Sequence, residues 1–527
     1  MSPTHPTAHP AHPKSLAADL SAGLSVALLA LPLCLAIAKA SGFPPVMGVV
    51  SAIIGGIVGS LIGSAPLTIK GPAAGLIVIV IGAVTELGYE KTLAVGVVAA
   101  VLQILFALLK AGRFALMMPP SVIHGMMAAI GVIIISKQLP VALGVSIEKM
   151  SPLMALWSAP DMLMRSHPIA TLSAGLTVII LILAPKLPRA LRKLPPPLYA
   201  LSVAIPLSIY FDLAHTHDVV FLGSTAQVSE ALLVDIPKSV LNAVTFPDFS
   251  EITSGVSVKY IIMFSLIGAV ESLLSALAVD ELDPAKHASN LNKDLLSVGV
   301  VNLITASVGA LPVISEIVRS KANIDAGAQS PRSNFTHGVA LLIFVMVLPG
   351  VLHLIPLSAL AAMLLMVGYR LANPKELAHM YHLGLDQLVL FLVTCVVTLL
   401  TDLLVGVAVG IALKVVFHLA RGVSVSALFG SRVERHEEGD ALRLTVKGSL
   451  TFMATLSLIE ALEGVAESRY TRVVLDLEGV RVIDHTALSR LYGAAAEWPH
   501  TSLEVMGFEA MRSAGGHERS ARVRSAS

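Results

Sequence analysis

Only two cysteines, Cys34 and Cys395, stand in 527 residues. Both lie in apolar runs, so neither a Cys-rich zinc site nor a disulfide framework is available. Charge is scarce as well: Asp, Glu, Lys and Arg make up 13% of the chain, about half of the ~25% usual in soluble domains. The 36 Lys and Arg against 35 Asp and Glu leave a net charge of +1, so nucleic acid has no basic footprint to bind. No Gly-rich phosphate loop and no nucleophile–base pair stands out, so an enzyme is not expected, nor a metal site or an organic cofactor. What the chain does have is apolar bulk: 55% hydrophobic residues and a mean hydropathy of +0.81.

That bulk is unevenly spread. Residues 1–15 are Pro- and His-rich and read as a disordered tail, in which His5, His9 and His12 are not held together as a metal cluster. Residues 16–421 are a succession of apolar stretches, 422–430 a linker, 431–512 a charged domain and 513–527 a second disordered tail. No cleavable signal is expected ahead of the first apolar run. At roughly 20 apolar residues per straight crossing, spans are expected at 16–38, 44–63, 72–87, 92–109, 119–137, 168–185 and 197–212. A second set is expected at 258–278, 294–309, 312–321, 334–350, 354–371, 385–401 and 403–420. The third member of each set is short and follows a Gly or Pro break. Matching interrupted segments point to a transporter's binding site, and two sets of seven insert with opposite orientation. The expectation is therefore an all-α polytopic membrane domain of fourteen spans, built as a 7+7 inverted repeat in a lipid bilayer.

Loop charge orients it. With the N-terminus inside, the loop between spans 6 and 7 carries Lys186, Arg189, Arg192 and Lys193 on the cytoplasmic side. Lys110, Arg113, Arg319, Lys321 and Arg332 fall on the same side, while the loop after span 7 holds Asp212, Asp218, Glu230, Asp235, Asp248 and Glu251 against Lys238. The positive-inside rule then places both termini in the cytoplasm and the protein in the inner (plasma) membrane. The charged tail alternates strand signals (Leu442–Val446, Val473–Leu477, Leu503–Met506) with helical ones (Phe452–Ala466, Ala487–Ala495), the pattern of a small α/β domain.

Chemistry concentrates at the two breaks. In Leu67–Gly75, Gly71 and Pro72 introduce a half-helix whose freed N–H groups at Ala73 and Ala74, with the helix dipole, suit an anion. The counterpart, Gly309–Ser315, offers Pro312 and then Val313, Ile314 and Ser315. Spans 1, 3, 8 and 10 contain no Lys or Arg near this point, Lys70 and Arg319 lying at or beyond the ends. Backbone N–H groups are therefore expected to hold the anion, and Ser315→Ala to weaken it by about 1–2 kcal/mol. Lys70 either attracts anions or snorkels to the surface. Glu271, a carboxylate inside span 8, costs roughly 2.5–3.5 kcal/mol on insertion scales and is a functional candidate for that reason. With Ser275 one turn later it would coordinate Na⁺, or it would carry H⁺. Glu316 either faces away or joins this coupling group. Gly55, Gly59 and Gly63 recur every four residues and read as helix packing. Asn334-Phe-Thr336 matches a glycosylation acceptor but falls on the cytoplasmic side.

The chain resembles the SulP (sulfate permease) family. The residues that carry the resemblance are Asp19-Leu-Ser-Ala-Gly-Leu24, Gly42-Phe-Pro-Pro-Val-Met-Gly48, Gly71-Pro-Ala-Ala-Gly75 and the run through Arg319-Ser320 to Asn323. The tail is similar to a STAS domain, through Val473–Val480 and Val482–Leu488. The resemblance implies a uracil-permease-like fold in which a core of spans 1–4 and 8–11 moves against a gate of spans 5–7 and 12–14. It implies a substrate between spans 3 and 10 near spans 1 and 8, which brings Cys34 into the candidate set, and a homodimer. Ser121–Gly131 and Ser136–Pro140 resemble members found fused to carbonic anhydrases, which hints at bicarbonate. In STAS domains whose Ser is phosphorylated, the equivalent hydroxyl here is Thr486, with His485 and Ala487 departing from the pattern. The expected function is secondary transport of a small inorganic anion, bicarbonate or sulfate, driven by Na⁺ or H⁺. Dicarboxylate or anion exchange, an anion channel and a membrane receptor are the alternatives.

Overall fold

The computed structural model describes residues 15–112, 117–146, 151–188, 195–221, 223–235, 240–283, 285, 289–462, 465, 470–496, 498 and 501–524. The N-terminal histidines and Arg113, Arg189, Arg192, Lys193 and Lys238, which entered the orientation argument, lie outside them.

Helices α1 (Leu16–Ala40) and α2 (Pro45–Ile62) lead into strand β1 (Ile69–Pro72), a short 3₁₀ turn at Ala74–Leu76, α3 (Ile77–Leu87) and α4 (Tyr89–Leu108). Next come α5 (Pro120–Leu143), the short α6 (Pro152–Trp157) and α7 (Ala159–Met164), α8 (Pro168–Leu183) and α9 (Pro196–Tyr210). The acidic connection that follows is not plain loop, because it carries an antiparallel hairpin of β2 (His217–Phe221) and β3 (Ser224–Val228). The second half repeats the pattern: α10 (Gly255–Leu282), α11 (Leu291–Ser307), strand β4 (Val313–Glu316), α12 (Ile317–Asp325) and α13 (Arg332–Val347). It continues with α14 (Pro349–His353), α15 (Leu357–Leu371), α16 (Pro374–Leu383), α17 (Leu385–Leu400) and α18 (Leu403–Ala420). Eight helices among the described residues are long and apolar enough to cross a membrane, and several shorter apolar helices accompany them. This is a multi-pass membrane protein.

Helix starts follow local chemistry. Side chains of Ser15, Ser254, Asn290 and Asp402 accept from the second or third N–H of α1, α10, α11 and α18, satisfying donors that a helix start leaves free. Pro opens α2, α5, α8 and α9, where its missing N–H is no loss. Helices pack in two groups. Helices α1, α2 and α4 pack with α10, α11 and α13, while α5, α8 and α9 pack with α15, α17 and α18. In the first group, Asp19 of α1 clasps the turn before α13, accepting from Gln329 N (2.8 Å), Ser330 N (3.0 Å) and the Ser330 hydroxyl (2.5 Å). A Cβ on Gly56 would come within 2.6 Å of Gly338 Cα, so close approach of α2 and α13 explains that glycine.

After α19 (Val425–Gly430), which occupies the expected linker, the C-terminal domain builds a four-stranded sheet in the order β5-β6-β7-β9. Strands β5 (Arg432–Glu438) and β6 (Ala441–Lys447) are antiparallel; β6, β7 (Arg472–Asp476) and β9 (Ser502–Met506) are parallel. Helices α20 (Thr455–Leu462) and α21 (His485–Ala496) complete it, with β8 (Val482–Ile483) just before α21. This α/β arrangement fits a STAS domain. The expected disorder of the tail is corrected for 513–524: β10 (Met511–Ser513) and β11 (Arg522–Arg524) join β8 in a second sheet. Pairing to β8 supplies partners for backbone groups that local composition did not reveal.

Candidate functional site

Strands β1 and β4 run antiparallel, pairing Ile69 with Glu316 through to Pro72 with Val313. The half-helix expected directly after Pro312 is therefore displaced: Val313–Glu316 is extended, and α12 starts only at Ile317. The donors assigned there have other partners. Val313 N donates to Asn302 Oδ1 (2.6 Å) and Ser315 N to Ser272 Oγ (3.0 Å). On the facing strand, Ile69 N donates to Ser320 Oγ and Lys70 N to Asn334 Oδ1. Asn334 is thus a buried bracket rather than a glycosylation acceptor. Pro72 and Gly71 belong to β1, and Ile314 sits opposite Gly71 in the ribbon. Ala73 and Ala74, both buried, form the bend from β1 into α3.

Lys70 does not snorkel to the surface; the anion it meets is a carboxylate of this chain. It is 1% exposed, and its Nζ donates to Asp294 Oδ1 (2.7 Å) and Thr68 Oγ1 (3.1 Å). Ser315 Oγ donates to the other oxygen of Asp294 (3.0 Å). The Ser315 hydroxyl, expected to face the anion, is here part of a closed ionic knot between β1, β4 and α11. Gly55 and Gly59 make room for it, since a Cβ at either would meet the Lys70 carbonyl oxygen or Cδ at 2.6 Å. Lys70→Met should leave Asp294 charged and unpaired, lowering stability by about 3–5 kcal/mol, with much of the loss recovered in Lys70→Met/Asp294→Leu. Thermal unfolding of the purified protein in detergent reads both, and equal stability of Lys70→Met and wild type would refute the knot.

Starting α12 at Ile317 puts Arg319 in its first turn, and Arg319 is 1% exposed. This corrects the expectation that no cation lies at the site. One terminal nitrogen donates to Pro72 O (2.7 Å), while Nε and the other terminal nitrogen, both buried, reach no oxygen or nitrogen acceptor of the protein, the Cys34 thiol being the side chain beside the guanidinium. Gly71 is required here, because a Cβ on it would lie 2.3 Å from the guanidinium. Buried Cys34 of α1 has Arg319 and Glu316 as its charged neighbours. His337 of α13, buried with both ring nitrogens unpartnered, also feels Arg319. From α10, Glu271 leans on the bend after Ala74: a Cβ at Gly75 would lie 1.9 Å from its Oε1, and its Oε2 is buried without a partner. Its charged neighbour is Glu316 at the start of α12, so Glu316 joins this group rather than facing away. Ser272, not Ser275, is the α10 hydroxyl tied to the ribbon; Ser275 is half-buried, one turn from Glu271.

Two strand-to-helix bends thus face each other, with a guanidinium fork, two carboxylates, a thiol and an imidazole around them. Buried donors left unpaired by protein atoms are few in native proteins, and ordered water, a bound ion or ligand, or strain accounts for them. A guanidinium fork is shaped for a planar or tetrahedral oxyanion.

Residues 16–394 match the sequence model of the sulfate permease family. A putative sulfate transporter, YvdB of Bacillus subtilis, is 29% identical over 80% of this chain and 77% of its own length. The bicarbonate transporter BicA of Synechocystis is 27% identical over 63% of this chain and 55% of its own. The solved transmembrane domain of a cyanobacterial BicA superposes with a TM-score of 0.64 at 26% identity, covering 74% of this chain and 97% of that one. The SLC26A9 structure gives a TM-score of 0.64 at 15% identity over 93% of this chain and 84% of that one, a likeness of fold alone. With the family's sequence pattern running through its membrane domain from end to end of the broken helices, the chain belongs to the sulfate permease family.

Proposed function

We propose that this protein is a secondary active transporter of a small inorganic oxyanion, bicarbonate or sulfate, working by elevator-like alternating access. The observation that carries the reading is the buried Arg319 fork, between the bends of β1–α3 and β4–α12, with two N–H-bearing nitrogens that reach no oxygen or nitrogen acceptor of the protein. The sulfate and bicarbonate transporters among its relatives support the substrate class. The fourteen spans are read as a 7+7 inverted repeat, supported by the matching strand–helix breaks in the two halves. The loop charges support cytoplasmic termini in the plasma membrane, and the family resemblance supports a homodimer.

Charge balance supports coupling. Glu271 lies beside Glu316, and Glu316 shares the Cys34 neighbourhood with the one guanidinium of Arg319, so an oxyanion adds negative charge to this group unless a cation enters with it. A proton on Glu271 is the simplest such cation. Uptake of labelled bicarbonate and sulfate into proteoliposomes, under an imposed pH or Na⁺ gradient, tests this. Concentrative uptake that collapses with a protonophore is the expected result. Flux that only equilibrates and follows membrane potential would mean a channel, and accumulation driven by Na⁺ alone would reassign the coupling ion.

Alternating access requires the two helix groups to slide. Lys259 of α10 bridges them at the expected outer end, 3.6 Å from Glu86 of α3 and 3.4 Å from Asp402, the cap of α18. Joining Lys259→Cys to Asp402→Cys with a short thiol-cleavable linker should reduce uptake below about a tenth of normal, restored on reduction. Undiminished uptake by the linked protein would rule out the sliding motion at this point.

A further inference from the structure

Away from the anion site, a second buried charge cluster lies where α18 meets the C-terminal domain. Asp484, Lys414 and His418 are all at most 1% exposed. Asp484 caps α21, its Oδ1 accepting from Ala487 N (2.9 Å), while Oδ2 accepts from Phe452 N (2.7 Å). That same Oδ2 lies 3.2 Å from His418 Nε2 and 3.6 Å from Lys414 Nζ, two side chains one turn apart on α18. No hydrogen-bond partner serves Lys414 Nζ or His418 Nδ1, so Asp484 is what balances the lysine. Burial alone would raise the Asp484 carboxyl, but Lys414, His418 and the N–H of Ala487 outweigh it and hold the group below the usual carboxylate range.

Apolar contacts surround the pair. The Phe452 ring stacks on His418 with centroids 5.9 Å apart, and Ile411 and Val415 of α18 pack with Phe452, Val482 and Val523. The arm after β10 closes a second contact: a Cβ on Gly515 would meet Leu383 O at 2.3 Å, and the rings of His379 and His517 lie 6.0 Å apart. Every membrane residue in both contacts belongs to α16 or α18, on the side of the second helix group. Thr486 lies two residues beyond Asp484, 0% exposed and with no partner for its hydroxyl.

We propose that Asp484, Lys414 and His418 form a latch that docks the C-terminal domain on the last membrane helix of the same chain, so that the domain stays with the gate during transport. Removing one partner of a buried ion pair strands the other charge, whereas replacing both with apolar residues does not. In the full-length protein, Lys414→Met should speed trypsin cleavage at Arg421, Arg432 and Arg435 at least about tenfold. Asp484→Asn should do the same, and Lys414→Met/Asp484→Asn, which strands no charge and keeps an amide oxygen to accept from Ala487 N, should regain part of the protection. Because Lys414→Met leaves the α21 cap intact, its cleavage at the wild-type rate would overturn the latch even if Asp484→Asn unfolds the domain. As a second measure, His379→Cys and His517→Cys joined by a bifunctional thiol reagent should run as a single chain on denaturing gels and retain uptake within about twofold. A covalent two-chain product, or uptake lost on linking, would overturn docking within the chain or docking to a static partner respectively.

Discussion

Arg319→Met should fold and insert yet bind neither bicarbonate nor sulfate measurably, with affinity down more than about a hundredfold. Each hydrogen bond to a charged partner contributes about 1.5–3 kcal/mol, and the fork offers two nitrogens to a ligand beyond the one committed to Pro72 O. Loss of both, together with the only guanidinium at the bends, leaves an oxyanion unpaired in a low dielectric. Arg319→Lys should not rescue, because an ammonium is a point charge without the planar fork and cannot keep the Pro72 contact in the same geometry. Equilibrium binding of labelled anion to the purified protein, beside its melting temperature, is the measurement. Wild-type affinity in a well-folded Arg319→Met would move the site away from this bend.

The second large effect is expected at Glu271. Glutamine has the same shape and keeps the contact with the bend at Gly75, but it carries no charge and binds no proton. In Glu271→Gln, one negative charge beside Glu316 is permanently removed, as if the site were always protonated. Accumulation driven by a pH gradient should drop to the equilibrium level, while exchange of internal for external anion continues. Gradient-driven accumulation near the wild-type level would show that coupling resides elsewhere, and failure of exchange as well would make Glu271 a binding rather than a coupling residue.

Much of the framework is legible in the sequence. Runs of about 20 apolar residues dictate helices in a bilayer, and a lone carboxylate such as Glu271 draws attention by its insertion cost. The same reasoning applied to Asp294, at the edge of an expected span, would have found the partner of Lys70. Arg319 escaped for a more instructive reason. Pro312 looks like a helix start, and four residues are too few for a period of 2 to be told from one of 3.6. Only pairing with Ile69–Pro72, far away in the chain, makes Val313–Glu316 a strand. That shift carries Arg319 from the far end of a half-helix into its first turn and withdraws Ser315 into the knot with Asp294. The arm after 510 was hidden likewise, since its order comes from β8 rather than from its own composition.

The β1–β4 ribbon also bears on how the protein is made. Its strands are separated by some 240 residues, and at translation rates of about 5–20 residues per second the first waits roughly 12–50 s for the second. During that interval a stretch of extended backbone has entered the bilayer with no ladder partner, and lipid offers none. A nascent chain halted before Val313 therefore displays a lesion that a finished one lacks, a polar gash at the depth of the membrane.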